Sequence, residues 1–415
     1  MIRIQMPKYI LPSLTGKGRG MGLLLLLLAL LGATPLAAQD QQNMFNPIQY
    51  SVPMLAIAPD ARGGGLGDIG AATEADVSSQ YWNPAKYPFC VARAGLGISY
   101  TPWLRKLVSD INLANVSGFY RIGDYSAISA SLRYFSLGEV EFWDNYGENM
   151  SSGATSGMTI KPYELAADVA YSRMLSETFS MGVGMRFIFS DITFDYTSES
   201  SPGKAFAADI SMYYNNYVNI GNRECGLGIG LNISNIGSKI SYGGTDNSEF
   251  IPTNLRLGLN LTIPFDEYNR LNLCADANKL LVPSYPMQGS DESSEDYTAR
   301  VQKEYYDVSP IAGIFKSFHD APNGFKEEMQ EIQWSLGAEY SYNDRFFLRA
   351  GYHHEHANKG NRKYITAGAG FKMSIFSIDA AYVFSTAQTN PLDQTMRFTL
   401  GFDLDGIRDL FGRRR

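Results

Sequence analysis

Four histidines, His319, His353, His354 and His356, are the first residues to weigh as catalysts or metal ligands. Three stand in the run His353-His354-Glu355-His356, where a strand would put His354 and His356 on one face, a spacing that could suit a transition metal. The more ordinary reading of such a run is an exposed strand end or loop holding no metal. Asp291, Glu292, Glu295 and Asp296 gather negative charge without EF-hand spacing, and read as a solvated face rather than a calcium site. Cys90, Cys225 and Cys274 contain no C-x-x-C pair; they are expected to be reduced and to serve packing alone. A serine esterase needs a histidine base with an acidic partner, yet the chain has no G-x-S-x-G elbow and its histidines sit in two stretches expected to be loops. Gly65-Leu66-Gly67-Asp68-Ile69-Gly70 matches the dinucleotide fingerprint G-x-G-x-x-G. That fingerprint requires a preceding buried strand and a βαβ unit, whereas Pro59 and Asp60 stand upstream here. No catalytic residue, metal or cofactor is expected.

The elements that carry these residues follow from composition and periodicity. The chain has 415 residues, a formal net charge of −7, 40 Gly, 26 Tyr and 23 Phe, with only 19% charged residues. This excludes disorder, and the acidic balance argues against a nucleic-acid partner. Arg3, Lys8, Lys17 and Arg19 precede an apolar run from Leu23 to Leu31 and the small residues ending at Ala37-Ala38, which describes a secretory signal peptide over 1–38. The apolar run is too short for a membrane-spanning helix.

Period-two alternation dominates the mature chain. Leu255, Leu257, Leu259, Leu261 and Ile263 alternate with Arg256, Gly258, Asn260 and Thr262; Phe179 to Phe189 and Phe376 to Phe384 behave alike. The template predicts strands near 91–100, 111–122, 125–136, 163–175, 178–190, 204–216, 225–235, 253–264, 269–280, 332–342, 345–353, 363–373, 375–385 and 394–402. Most are long enough to cross a bilayer when tilted. Short turns such as Gly123-Asp124 and Asn343-Asp344 alternate with long linkers, the longest being 281–331. That asymmetry is what outer-membrane barrels show, with the long loops outside the cell. A soluble sandwich or propeller would keep a charged outer face, whereas the second face here is Gly, Ser, Asn and occasional charge. Tyr100, Tyr120, Tyr171, Tyr214 and Tyr340 fall at strand ends, as interfacial girdles require. The expected fold is all-β: a 14-stranded transmembrane antiparallel β-barrel over 91–402, located in the outer membrane. An N-terminal periplasmic or lumenal hatch over 39–90 precedes it, and a periplasmic tail over 403–415 follows.

The hatch carries its own pattern: Pro59-Asp60-Ala61-Arg62, the glycines Gly65, Gly67 and Gly70, then Asp76, and Asn83-Pro84-Ala85-Lys86. Its glycines suit close contact with a barrel wall, and Asp76 to Gln80 suits a short helix. This pattern resembles the N-terminal signature of the PorV (LptO) family of the type IX secretion system of Bacteroidetes, whose barrel is FadL-like. The resemblance implies a non-enzymatic carrier. Such a carrier takes folded C-terminal signal domains of secreted cargo at the translocon (a SprA/Sov-like barrel) and passes them to a surface attachment complex of sortase-like PorU with PorQ and PorZ. Outer-membrane lipids and lipopolysaccharide would surround it. The cargo-facing candidate is the loop 281–331 with Tyr285, Tyr297, Tyr305, Tyr306, Phe315 and Phe318, since exposed aromatics anchor interfaces and loops of this length are usually functional. The same loop could instead be a lid over the barrel mouth. A different class of function, FadL-like passage of a hydrophobic small molecule through the lumen, is also compatible with the hatch and the small lumenal residues.

Overall fold

The computed structural model describes residues 45–103, 110–143, 157–192, 201–243, 247–385 and 394–405. The expected signal peptide and most of the expected tail lie outside these residues. Sixteen strands occur among them: β1 (Ala94–Pro102), β2 (Ile111–Ile122), β3 (Ser126–Leu137), β4 (Val140–Trp143), β5 (Gly157–Ile160), β6 (Tyr163–Ser176), β7 (Phe179–Asp191), β8 (Gly203–Ile220), β9 (Arg223–Gly237), β10 (Asn254–Pro264), β11 (Asn269–Leu280), β12 (Gln333–Tyr342), β13 (Phe346–His354), β14 (Lys363–Lys372), β15 (Phe376–Ser385) and β16 (Met396–Asp403). Fourteen of them close an antiparallel barrel in sequence order, sealed by β1 against β16 with Ile98 opposite Leu400. β4 and β5 pair separately as a hairpin between β3 and β6.

The alternation seen in sequence is the alternation of faces. Along β3, Ile128, Leu132 and Tyr134 are exposed on the outside, where lipid replaces water, while Ala127, Ser129, Ser131 and Arg133 are buried inside. Tyr100, Tyr120, Tyr171 and Tyr340 are exposed on the outer face and Tyr214 is half-buried. β8 and β9 run further than the sequence template predicts, meeting at Gly221-Asn222. Asn215, Asn216 and Asn219 break the apolar alternation there, yet cross-strand pairing continues to Ile220 opposite Arg223.

The segment before β1 lies in the lumen. At Phe45 and Asn46 the described segment lies at the long-loop end of the barrel. Asn46 donates its backbone N–H to Asn358, and Ser51 to Phe250, both in long loops. Val52, Met54 and Leu55 pack with Leu113, Phe135, Ile188, Ile240 and Ile251 at that end. The chain then descends through the lumen and leaves at the short-turn end, where Tyr87 stacks on Phe119 and Arg121 donates to the Cys90 carbonyl. The segment thus threads the barrel from the long-loop end to the short-turn end.

Candidate functional site

Two features could carry function: the hatch held in the lumen and the long loop over the mouth. In the hatch, Asp60 starts a one-turn helix, Ala61–Gly65, by accepting from the Gly63 N–H at 2.8 Å, and its other oxygen accepts from Trp82 Nε1 at 2.6 Å. The start of the glycine stretch is therefore helical. Gly67 follows at φ +83°, where a Cβ would press on the Tyr352 backbone at 2.8 Å. Gly65 lies against Gly368 of β14, and a Cβ on Gly70 would strike the Trp82 ring. Pro59 is buried beside this turn. Asp76 accepts from the Ser78 N–H, and a helix runs over Ser79–Trp82. Asn83 donates to the Ala71 and Met212 carbonyls, and its side-chain oxygen caps the 3₁₀ turn begun by Pro84.

Ion pairs fasten the hatch to the wall. Arg62 bridges Asp76 at 2.9 Å and Glu339 of β12 at 3.0 Å. Glu339 is also bonded by Arg349 at 2.6 Å, which reaches Asp379 at 2.6 Å. Asp68 pairs with Arg397 and accepts from the Tyr364 hydroxyl at 2.6 Å. Asp276 accepts the Gly70 and Ala71 amides. On the opposite wall, Arg186 joins Asp168 and Asp209, and Gln80 donates to Asp168. The wall partners Glu339, Arg349, Asp379, Arg397 and Asp276 were missed; their signal was charge at lumen-facing positions of otherwise apolar strands.

The mouth is governed by the segment 281–332. It contains helices Ser294–Val301, Pro310–Lys316 and Phe325–Gln330. Its base is tied down by buried charges: Lys279 bonds Glu328 at 3.0 Å and Glu331 at 2.6 Å, while Lys359 bonds Glu327 and also Glu331 at 3.1 Å. Burial acts to raise the Glu327 carboxyl, but Lys359 and the Asn323 amide outweigh it and hold it below its ordinary value. Asp320 goes the other way. Burial, partly offset by the Ser284 N–H and reinforced by Glu331 and Glu328, pushes it up to about 6.

The six aromatic candidates divide. Tyr305 is fully buried against Phe250, Tyr285 and Tyr306, and its hydroxyl donates to the Gln49 carbonyl. Lys239 donates to the Tyr305 and Tyr306 carbonyls and lies 4.0 Å above the Phe250 ring. Tyr297 is half-buried and donates to the Pro286 carbonyl. Phe315 and Phe318 face solvent, at 68% and 47% exposure. Ile311, Phe325 and Met329, which the sequence reading passed over, are also exposed in the same segment.

The histidine run does not assemble as a strand face. His353 points inward, bonded to Ser335 at 2.9 Å and stacked on Tyr364; His354 stacks on Trp334 outside; His356 caps the turn Ala357–Lys359. Cys274 packs inside the barrel with Leu66 and Ile69.

Against this geometry, the model of the family described as type IX secretion system protein PorV matches residues 38–287, which span the hatch and β1 to β11. The chain belongs to the PorV family. No curated protein matches. Solved structures similar to it include a deletion mutant of the TodX monoaromatic hydrocarbon channel (12% identity, 83% of this chain and 98% of that one, TM-score 0.48). A Pseudomonas aeruginosa FadL homologue (13%, 83% and 98%, 0.40) and the Ralstonia pickettii toluene transporter TbuX (12%, 83% and 96%, 0.41) are also similar. With TM-scores below 0.5 these add nothing to the PorV assignment, which rests on the family match. The match ends at residue 287, so it leaves out most of the mouth segment and its exposed aromatics.

Proposed function

We propose that this PorV-family barrel is a non-enzymatic carrier of the type IX system. It receives the folded C-terminal signal domain of secreted cargo from the translocon, and the receiving surface is the 281–332 segment. The observation that carries this reading is the set of large apolar side chains, Ile311, Phe315, Phe318, Phe325 and Met329, 47–68% exposed on a loop beyond the strands. Outward-facing apolar residues on the strands meet lipid; these meet water, and large apolar side chains exposed to water on one loop segment suit a protein partner. Tyr305, Lys239 and the Lys279–Glu331–Lys359 cluster hold the loop in place, so binding would cost little ordering entropy. Delivery would follow to the sortase-like PorU with PorQ and PorZ, the partners the family implies.

The lumen speaks against passage of an apolar small molecule. Residues 58–89 occupy it, and its walls carry buried Arg, Asp and Glu rather than a greasy lining. A deletion strain tests the carrier: cargo bearing the C-terminal signal domain should accumulate in the periplasm, and restoring the wild-type chain should return it to the surface. Normal surface delivery in the deletion strain would refute the reading.

A further inference from the structure

Two cavities adjoin at the loop end of the lumen. The outer, about 170 Å3, shares Tyr50, Leu280, Gln333 and Arg362 with an inner one of about 60 Å3. The inner space holds several waters or one compact oxyanion. Tyr81, Trp82, Asn235, Asn254, Asn278 and Arg256 line it.

Arg256 is the unexplained group. It is 8% exposed, its Nε donates to Asn278 Oδ1 at 2.7 Å, and its guanidinium carbon lies 4.6 Å from the Trp82 ring and 5.2 Å from the Tyr81 ring. Among the described residues it forms no ion pair. The other arginines of the cavity are matched, Arg186 by Asp168 and Asp209 and Arg362 by Glu355. Asp68, the lining carboxylate, is engaged by Arg397 and Tyr364. On the far side of Tyr81, Arg133 sits 4.6 Å from the ring, 1% exposed, its Nε without a partner. Two guanidinium groups thus bracket one phenol ring with no carboxylate bonded to either. Asp276 lies within electrostatic reach of Arg256 but is bonded by the Gly70 and Ala71 amides, and Asp168 and Asp209 act on Arg133 without bonding it. A buried cation without a bonded carboxylate remains costly, and aromatic faces offset only part of that cost.

We propose that the inner cavity binds a compact oxyanion, a carboxylate or phosphate group, reached from the loop end through the outer cavity. Arg256 supplies the counter-charge, in the fork geometry that suits such groups, and the Asn254 and Asn278 amides complete the cradle. The group could belong to a free anion or to the end of a lipid headgroup; the chemistry recognised is the same.

The test uses the full chain in detergent, titrated calorimetrically at fixed ionic strength with sodium phosphate, sodium acetate and dihexanoyl phosphatidate. Saturable binding of at least one, with a dissociation constant of about a millimolar or tighter, is expected. Preference for phosphatidate over inorganic phosphate assigns a headgroup; the reverse assigns a free ion. Arg256→Gln should weaken binding by about tenfold or more. Should that variant fail to fold, Asn278→Asp decides: it places a carboxylate on Arg256, so it should abolish binding and raise the unfolding temperature of the unliganded barrel. No saturation with any of the three anions, or undiminished binding by Asn278→Asp, overturns the proposal.

Discussion

Glu339 shows how single side chains hold this molecule together. It is 1% exposed and accepts from Arg62 of the hatch, Arg349 of the wall and Asn272. Breaking a buried pair from one side leaves an uncompensated charge and costs about 3–5 kcal/mol. Glu339→Gln leaves two arginines facing a neutral amide, so it should lower the temperature at which the barrel loses its folded gel mobility. An unchanged temperature would mean the hatch is held by packing alone. Gly351 makes the complementary point about shape. A Cβ there would collide with the Leu66 and Gly67 backbone, and overpacking of this kind costs about 1–3 kcal/mol. Gly351→Ala should therefore loosen the hatch, seen as faster hydrogen exchange at Leu66 and Ile69. These roles are poorly legible in sequence. The types are visible, but Arg62 and Glu339 stand 277 residues apart, and nothing local to either says which partner it meets.

Among elements, the strands were the most legible. Outward and inward residues alternate with a period of two, and burial on both faces, by lipid outside and hatch inside, enforces that pattern over all fourteen barrel strands. The β4–β5 hairpin was missed because two four-residue strands are too short for alternation to register. The path of residues 45–57 was missed because a segment without periodicity carries no sign of which end of a barrel it occupies. The mouth segment has a pH dependence set by two carboxyls. Asp320, raised to about 6 from its ordinary 3.8, favours the packed loop below about pH 4 and loses that contribution as pH rises through 6. Glu327, lowered from 4.5, contributes above that value and loses it as pH falls further. The loop should therefore be held most firmly near about pH 4 to 4.5, above the fall of the Glu327 contribution and before most of the Asp320 contribution is lost. Limited proteolysis across 281–332 should be slowest there and faster at pH 8; a rate falling steadily to pH 8 would contradict this. Lys279→Met with Lys359→Met leaves Glu331 unpaired, and should expose the loop to protease at every pH.

On the scale of the whole molecule, the barrel is wrapped round its own N-terminal segment, with Phe45 at the loop end and Cys90 at the turn end. All three native cysteines are buried, so an introduced thiol reports alone. In intact cells, Phe45→Cys should react with an impermeant maleimide and Gly123→Cys should not; the reverse would invert the barrel in its membrane. The proposed carrier role would make the mouth, rather than the lumen, the working surface. The measurement that bears on it most directly is the affinity of the full barrel for a purified cargo C-terminal signal domain, compared with that of Phe315→Ser/Phe318→Ser. The double variant removes two exposed rings and no packing partner of Tyr305, so the barrel should keep its folded gel mobility. Affinity should fall by about tenfold or more. Equal affinity of the two proteins, or no binding by either, would contradict the assignment of this loop as the cargo-receiving surface.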